Sequence, residues 1–184
     1  MSNIGVGIIG CGGIALQNHL PGLELCVDTK LVGLCDSSAD VLDRAVKQTG
    51  VEVYTTDYKK LVERDDIHAV IIATPNFTHS PMAIEAMING KHVLCEKPLG
   101  LDQKETLQML NCAKENKVRH MTAFTYRFVP AMRYMKHLVD TGVIGQPYHI
   151  RTCRLQDWSD RNIGWRQIKK MAGSGELGDM LSHR

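Results

Sequence analysis

A short apolar run, Val6-Gly7-Ile8-Ile9, leads directly into Gly10-Cys11-Gly12-Gly13-Ile14-Ala15, and this junction limits the possible folds more than any other feature of the chain. An apolar run without polar alternation suits a parallel strand covered on both faces. Glycines at the first and third positions of the loop allow a tight turn and a bare backbone, and Ala15 lets a helix lie close to the sheet. A second apolar run, Leu31-Val32-Gly33-Leu34-Cys35, ends at Asp36, 24 residues after Gly12. Residues Ile4 to Asp36 therefore predict a βαβ unit whose helix N-terminus offers amide donors to a pyrophosphate. Gly10, Gly12, Gly13 and Ile14 are its candidate phosphate-loop residues, and Asp36 is the candidate acceptor for an adenosine ribose diol. A carboxylate there repels a 2′-phosphate, so NAD is expected ahead of NADP, while the hydroxyls of Ser37 and Ser38 leave NADP open. A glycine turn serving another nucleotide is the competing reading.

The alternation continues. Val51–Tyr54, Ala69–Ala73, His92–Cys95 and Met121–Phe124 read as further strands. Between them, Asp40–Thr49 is helical in period and Gly50 is a natural stop. Ser80-Pro81 reads as N-cap and first helical residue, with Gly90 closing that helix. Asp102 and Glu105 have capping-box spacing for a helix running to Asn116. Pro21 predicts that the first helix ends near His19 and restarts after the proline. The pattern predicts an α/β fold, a Rossmann doubly wound parallel sheet, over residues 1–124, with all strand C-termini on one edge.

After Phe124 the rhythm changes. Val129–Val139 reads as a helix with Arg133, Lys136 and His137 outward, ended by Thr141-Gly142. Tyr148–Leu155 alternates as a half-exposed antiparallel strand would, and another helix is expected to begin near Glu176. About sixty residues with one strand do not close a core of their own, so residues 125–184 are expected to begin a second domain of a longer chain.

Composition narrows the functional class. A net charge of +2 with no cluster of Lys or Arg gives no reason to expect nucleic acid or an anionic membrane as partner. No apolar run is long enough to span a bilayer, and the N-terminus lacks a basic leader, so a cytoplasmic location is expected. The six cysteines form no CxxC pair and are expected as buried free thiols, with no metal site.

Two motifs fall at strand ends on the ligand edge: Ala73-Thr74-Pro75-Asn76 and Glu96-Lys97-Pro98. Most lysines are solvated surface groups, but a strand end between a carboxylate and a proline is an unusual place for one. Downstream, Asp179 and His183 are four apart on the expected helix and would share a face, as an ordinary surface pair also would.

These residues resemble the Gfo/Idh/MocA oxidoreductases. The resemblance runs through GIIGCGGIA at 7–15, HLPG at 19–22, Asp36, ATPNFTH at 73–79, GKHVLCEKPL at 90–99, YRF at 126–128, WR at 165–166 and GELGDMLSH at 175–183. It implies a second, α+β domain with a large, mostly antiparallel sheet, carrying the substrate site and an oligomer interface. It implies a catalytic set of Lys97, Asp179 and His183. Cofactor contacts extend to Ser37, Thr74, Pro75, Asn76, His79, Glu96 and Lys97. Tyr126, Arg127, Trp165 and Arg166 become substrate contacts, although Trp165 is equally readable as a packing residue. The chemistry implied is hydride transfer between NAD or NADP and a secondary alcohol of a sugar, cyclitol or related polyol, in a homo-oligomeric enzyme. A glycosidase working through transient oxidation, and a non-catalytic sensor of NAD(P) or sugar, are the alternatives on this scaffold. In one place the sequence departs from the family pattern: Leu181 stands where glycine is usual, which bears on pocket size more than on chemistry.

Overall fold

The computed structural model describes residues 4–153 and 164–183. Each apolar run becomes a strand. They are β1 (Ile4–Ile9), β2 (Thr29–Cys35), β3 (Val53–Thr55), β4 (Ala69–Ile72), β5 (His92–Cys95) and β6 (His120–Thr122). All pair in parallel in the order β3-β2-β1-β4-β5-β6. The order reverses between β1 and β4, so the loops leaving their paired C-terminal ends run to opposite sides and open a crevice. The helices that cross over are α1 (Leu20–Glu24), α2 (Ala39–Thr49), α3 (Tyr58–Val62), α4 (His79–Ile88) and α5 (Gln103–Glu115).

The sheet is buried on both faces. On one, Ile9, Val70, Ile72 and Val93 pack with Leu61, Ala83, Met87 and Met109 of α3, α4 and α5. On the other, Val6, Ile8, Leu34 and Ile71 pack with Leu20, Leu42 and Ala45 of α1 and α2. This two-sided burial is why the strands carry little polar alternation.

The caps follow the sequence with local changes. Ser38 Oγ accepts the Val41 N–H ahead of α2, and Gly50 ends that helix at φ +67°. Asp102 accepts the Glu105 N–H, but the Glu105 carboxylate reaches the N–H of Leu101 rather than that of Asp102, so the capping box is shifted by one residue. The expected N-cap at Ser80 is corrected: Asn76–Thr78 form a 3-10 turn that runs straight into α4, and Ser80 is buried inside the helix.

Pro21 does not break the first helix. Ala15–His19 form a π-helical turn, in which the Leu20 N–H donates to the Ala15 carbonyl five residues back, and α1 continues from it with the proline in its first turn. The wider turn supplies the room that a proline ring lacks in a regular helix.

Beyond Phe124, helix α6 (Pro130–Asp140) forms as expected, and Arg133, Lys136 and His137 are exposed. The antiparallel strand expected over Tyr148–Leu155 is not formed over the described residues 148–153; 154 and 155 lie outside the description. Tyr148 is 95% exposed. Alternation alone cannot make a strand where no partner offers ladder hydrogen bonds. After a short helix α7 (Lys169–Ala172), the helix expected near Glu176 begins there as α8 (Glu176–Asp179), but it stops after four residues and a 3-10 turn follows at Leu181–His183. Among the described residues no helix is long and apolar enough to cross a membrane.

Candidate functional site

The crevice at the strand reversal is a cleft of about 910 Å³. Its floor is the loop after β1. Gly10 sits at φ +93°, and a Cβ there would lie 2.5 Å from the Ala73 carbonyl oxygen, so only glycine lets β1 and β4 end side by side. Gly12 faces the other way: nothing lies within 4 Å of where its Cβ would be. A bare backbone beside open space, at the start of a helix, is a cradle that a pyrophosphate fits. Gly13 and Ile14 continue this wall.

Asp36 and Ser37 line the cleft at the end of β2. The Asp36 carboxylate accepts the Cys11 N–H at 2.8 Å and the Ser38 N–H at 2.9 Å, so it braces the glycine loop as well as lining the cleft. Behind it the Cys11 and Cys35 thiols are each pushed up to about 12, by burial first and by the Asp36 charge second. All six cysteines are free; Cys11, Cys35, Cys95 and Cys112 are buried, whereas Cys26 and Cys153 are exposed.

The opposite wall is made by Thr74, Pro75, Asn76, Glu96 and Lys97. Asn76 is buried, and its Nδ2 donates to the Ala172 carbonyl at 2.9 Å, tying the β4 loop to α7. Its Oδ1 is buried without a hydrogen-bond partner in the structure. His79, expected as a cofactor contact, is corrected. It is fully buried and absent from the cleft wall, with Nδ1 2.8 Å from the Pro98 carbonyl and Nε2 2.8 Å from the Thr74 carbonyl. It staples the β4 loop to the Glu96-Lys97-Pro98 turn from behind. Burial, the largest influence, holds its proton affinity below the usual histidine range, although the two carbonyls and the Glu96 and Glu105 charges pull the other way. Two acceptors favour the imidazolium, but excluding a charge from water costs more than a second hydrogen bond returns.

At the far end of the cleft, Lys97 Nζ lies 2.6 Å from the Asp179 carboxylate and 2.7 Å from the Asp179 carbonyl. The other Asp179 oxygen is 3.5 Å from Arg166 Nε, and the Arg166 guanidinium lies over the Trp165 ring, 4.4 Å from its centre. Lys97, Asp179, Arg166 and Trp165 thus come together although 82 residues separate Lys97 from Asp179. Because α8 ends at Asp179, the expected shared helical face is broken, and His183 sits edge-on to Tyr126 with ring centres 4.7 Å apart. Those two rings and Arg127 line a second cavity, of about 780 Å³. Thr56, Tyr58, Phe77 and Met171 also line the cleft and were not expected. Phe77 lies within the ATPNFTH motif, whereas Thr56, Tyr58 and Met171 belong to none; adjacency of Thr56 and Tyr58 to β3 was their available signal.

A family model described as the oxidoreductase family, NAD-binding Rossmann fold, matches residues 4–124, and the GFO/IDH/MocA C-terminal domain matches residues 132–184. The chain belongs to the Gfo/Idh/MocA oxidoreductase family. Its first part is accordingly an NAD-binding Rossmann fold. Levoglucosan dehydrogenase of Pseudarthrobacter phenanthrenivorans is 36% identical over 194 aligned positions, spanning 100% of this chain and 50% of that protein. A solved oxidoreductase domain protein from Kribbella flavida superposes with a TM-score of 0.87 at 37% identity, over 100% of this chain and 52% of that one. A levoglucosan dehydrogenase solved in complex with NADH and levoglucosan gives a TM-score of 0.84 at 34% identity, over 99% of this chain and 52% of that one. The chain spans about half the length of these Gfo/Idh/MocA relatives.

Proposed function

We propose that the protein is a dehydrogenase transferring hydride between a nicotinamide cofactor, NAD ahead of NADP, and a secondary alcohol of a sugar, cyclitol or related polyol. In this reading residues 1–124 hold the cofactor and residues 125–184 begin the substrate domain. The observation that carries it is the nearly buried Lys97–Asp179 pair at the end of the cleft, 2.6 Å between charges. Holding a dinucleotide needs no such pair, whereas an alcohol that loses a proton needs a fixed cation beside its oxygen. Relatives named for sugar oxidation, levoglucosan dehydrogenase among them, support the substrate class.

Nicotinamide, when bound, supplies the hydride acceptor. The chain's own groups do the rest. Lys97 Nζ donates to the substrate oxygen and stabilises the charge that develops there. Asp179 holds that ammonium in place and orients the substrate. His183 takes the hydroxyl proton, imidazole being the side chain best suited to proton exchange near neutral pH. Tyr126, Arg127, Trp165 and Arg166 offer polar donors beside aromatic faces, a combination that suits a polyol.

The test is a screen of sugars, cyclitols and sugar acids with NAD and NADP on the complete protein, followed by nicotinamide absorbance. The expected result is stoichiometric reduced cofactor. Lys97→Ala is expected to lower kcat about 10²–10³-fold while NADH still binds. Cleavage of glycosides without net reduction would replace this reading by the transient-oxidation one. Binding of NADH with no turnover of any substrate would mark a sensor, and full turnover by Lys97→Ala would remove the lysine from the scheme.

A further inference from the structure

The turn that carries Lys97 is gripped through Glu96 by a histidine that does not line the cleft. His19 ends the π-helical turn that follows the glycine loop. Such turns are rare, and they concentrate at functional positions because the extra residue re-aims the side chains that follow. Here the turn ends with His19 Nε2 2.9 Å from Glu96 Oε1, each side chain only 11% exposed. The other Glu96 oxygen accepts the backbone N–H of Lys97 at 3.1 Å. One carboxylate therefore links the helix behind the glycine loop to the backbone of Lys97, 77 residues away from His19 along the chain to Glu96.

The arrangement has a chemical consequence. Glu96 is the nearest carboxylate to Lys97 in sequence, yet the Lys97 ammonium engages Asp179 instead. Both Glu96 oxygens are already occupied, one by His19 and one by the Lys97 N–H. If His19 is removed, Oε1 loses its partner and the carboxylate that holds the Lys97 N–H is free to turn. A single hydrogen bond of this kind adds little net stability, so its value lies in where it holds the carboxylate.

We infer that His19 is a positioning residue: acting through Glu96, it fixes the Lys97 backbone, coupling the lysine to the seating of the glycine loop. Its effect on turnover rests on the dehydrogenase reading above; its effect on the Lys97 backbone does not.

The experiment compares His19→Leu, which removes the donor, with His19→Gln, whose amide can still donate to Glu96, both in the complete protein. Hydrogen exchange at the Lys97 amide is expected to accelerate at least about tenfold in His19→Leu, while Val93–Cys95 of β5 exchange as before, and to return toward normal in His19→Gln. Turnover is expected to fall about 10- to 100-fold in kcat in His19→Leu, with KM for NAD little changed, and to recover in His19→Gln. Adding Glu96→Gln to His19→Leu is expected to cost less than the two separate losses combined, because both changes act on the same link. Unchanged exchange at Lys97 overturns the proposal, and so does equal loss in the leucine and glutamine variants. A protein that turns over no polyol defeats the dehydrogenase reading alone, and the exchange measurement still decides the role of His19.

Discussion

The two parts of this chain are held in different ways. From Ile4 to Ala123 a six-stranded sheet is closed on both faces by aliphatic layers. From Thr125 onward, the buried residues among those described are Ala172 and Asp179. Both are anchored to the ligand edge of the sheet by polar contacts, Ala172 through its carbonyl to Asn76 and Asp179 through its carboxylate to Lys97. The first part is built by apolar area, which is tolerant of detail. The second is attached by a few directional bonds, and those bonds fall on the cleft wall. Attachment and site geometry are therefore one set of contacts, and a change that loosens the segment also alters the site.

This contrast can be broken most forcefully from the sheet side. Gly10→Ala would drive a methyl group into the Ala73 carbonyl at a backbone angle that disfavours any side chain. Urea unfolding is expected to show a loss of about 2–4 kcal/mol, accompanied by loss of NADH binding. A stability within error of the parent would mean that the β1–β4 junction is looser than described. A smaller and more local effect is expected from Asp179→Asn, which keeps the shape and weakens the clasp. Amides of 165–183 should exchange more easily by about 1–2 kcal/mol, while the urea midpoint of the sheet stays put. Movement of that midpoint would show that the two parts are not held independently.

Acid should act on the sheet first. Burial lowers the proton affinity of His79 and of His120 below the usual value of 6.5. The unfolded chain then binds more protons than the folded one below that pH, so stability is full above about pH 6.5 and declines as pH falls. Denaturant midpoints between pH 7.5 and 5.5 (roughly the window set by an ordinary histidine) read the slope, and His79→Gln should flatten it. A midpoint that rises on acidification would contradict the sign. The mildest test leaves the sequence alone. Alkylation at mildly alkaline pH should mark exposed Cys26 and Cys153 quickly, while Cys11 and Cys35, buried and pushed up to about 12, react only after unfolding. Early labelling of Cys35 would show that the floor of the cleft opens.

Much of the first part was legible because strand, loop and helix there are local signals. The run Val6–Ile9, the glycine loop and Asp36 are found where the pattern put them, since burial on both faces leaves an apolar run few alternatives. The misreadings share a different cause. Tyr148–Leu155 alternates but finds no strand partner over its described part, and His79 stands in a motif that suggested ligand contact while its ring is bound to two carbonyls behind the cleft. In neither case does the motif itself say which groups become the partners; the His79 ring meets carbonyls five residues back and 19 residues on. The π-turn at Ala15–His19 belongs to the same class, since Pro21 signals a disturbance without saying that the helix absorbs it.

By itself, then, the sequence determined the parallel sheet, the glycine cradle and the list of polar residues at the strand ends, because periodicity and turn chemistry act over a few residues. Only the tertiary structure decided which of those residues meet. It joins Lys97 to Asp179 and Asp179 to Arg166, sets His183 against Tyr126, and brings His19 to Glu96. Directional contacts of 2.6 to 3.5 Å between distant residues depend on how helices and loops pack around the sheet edge, and no local pattern encodes that distance.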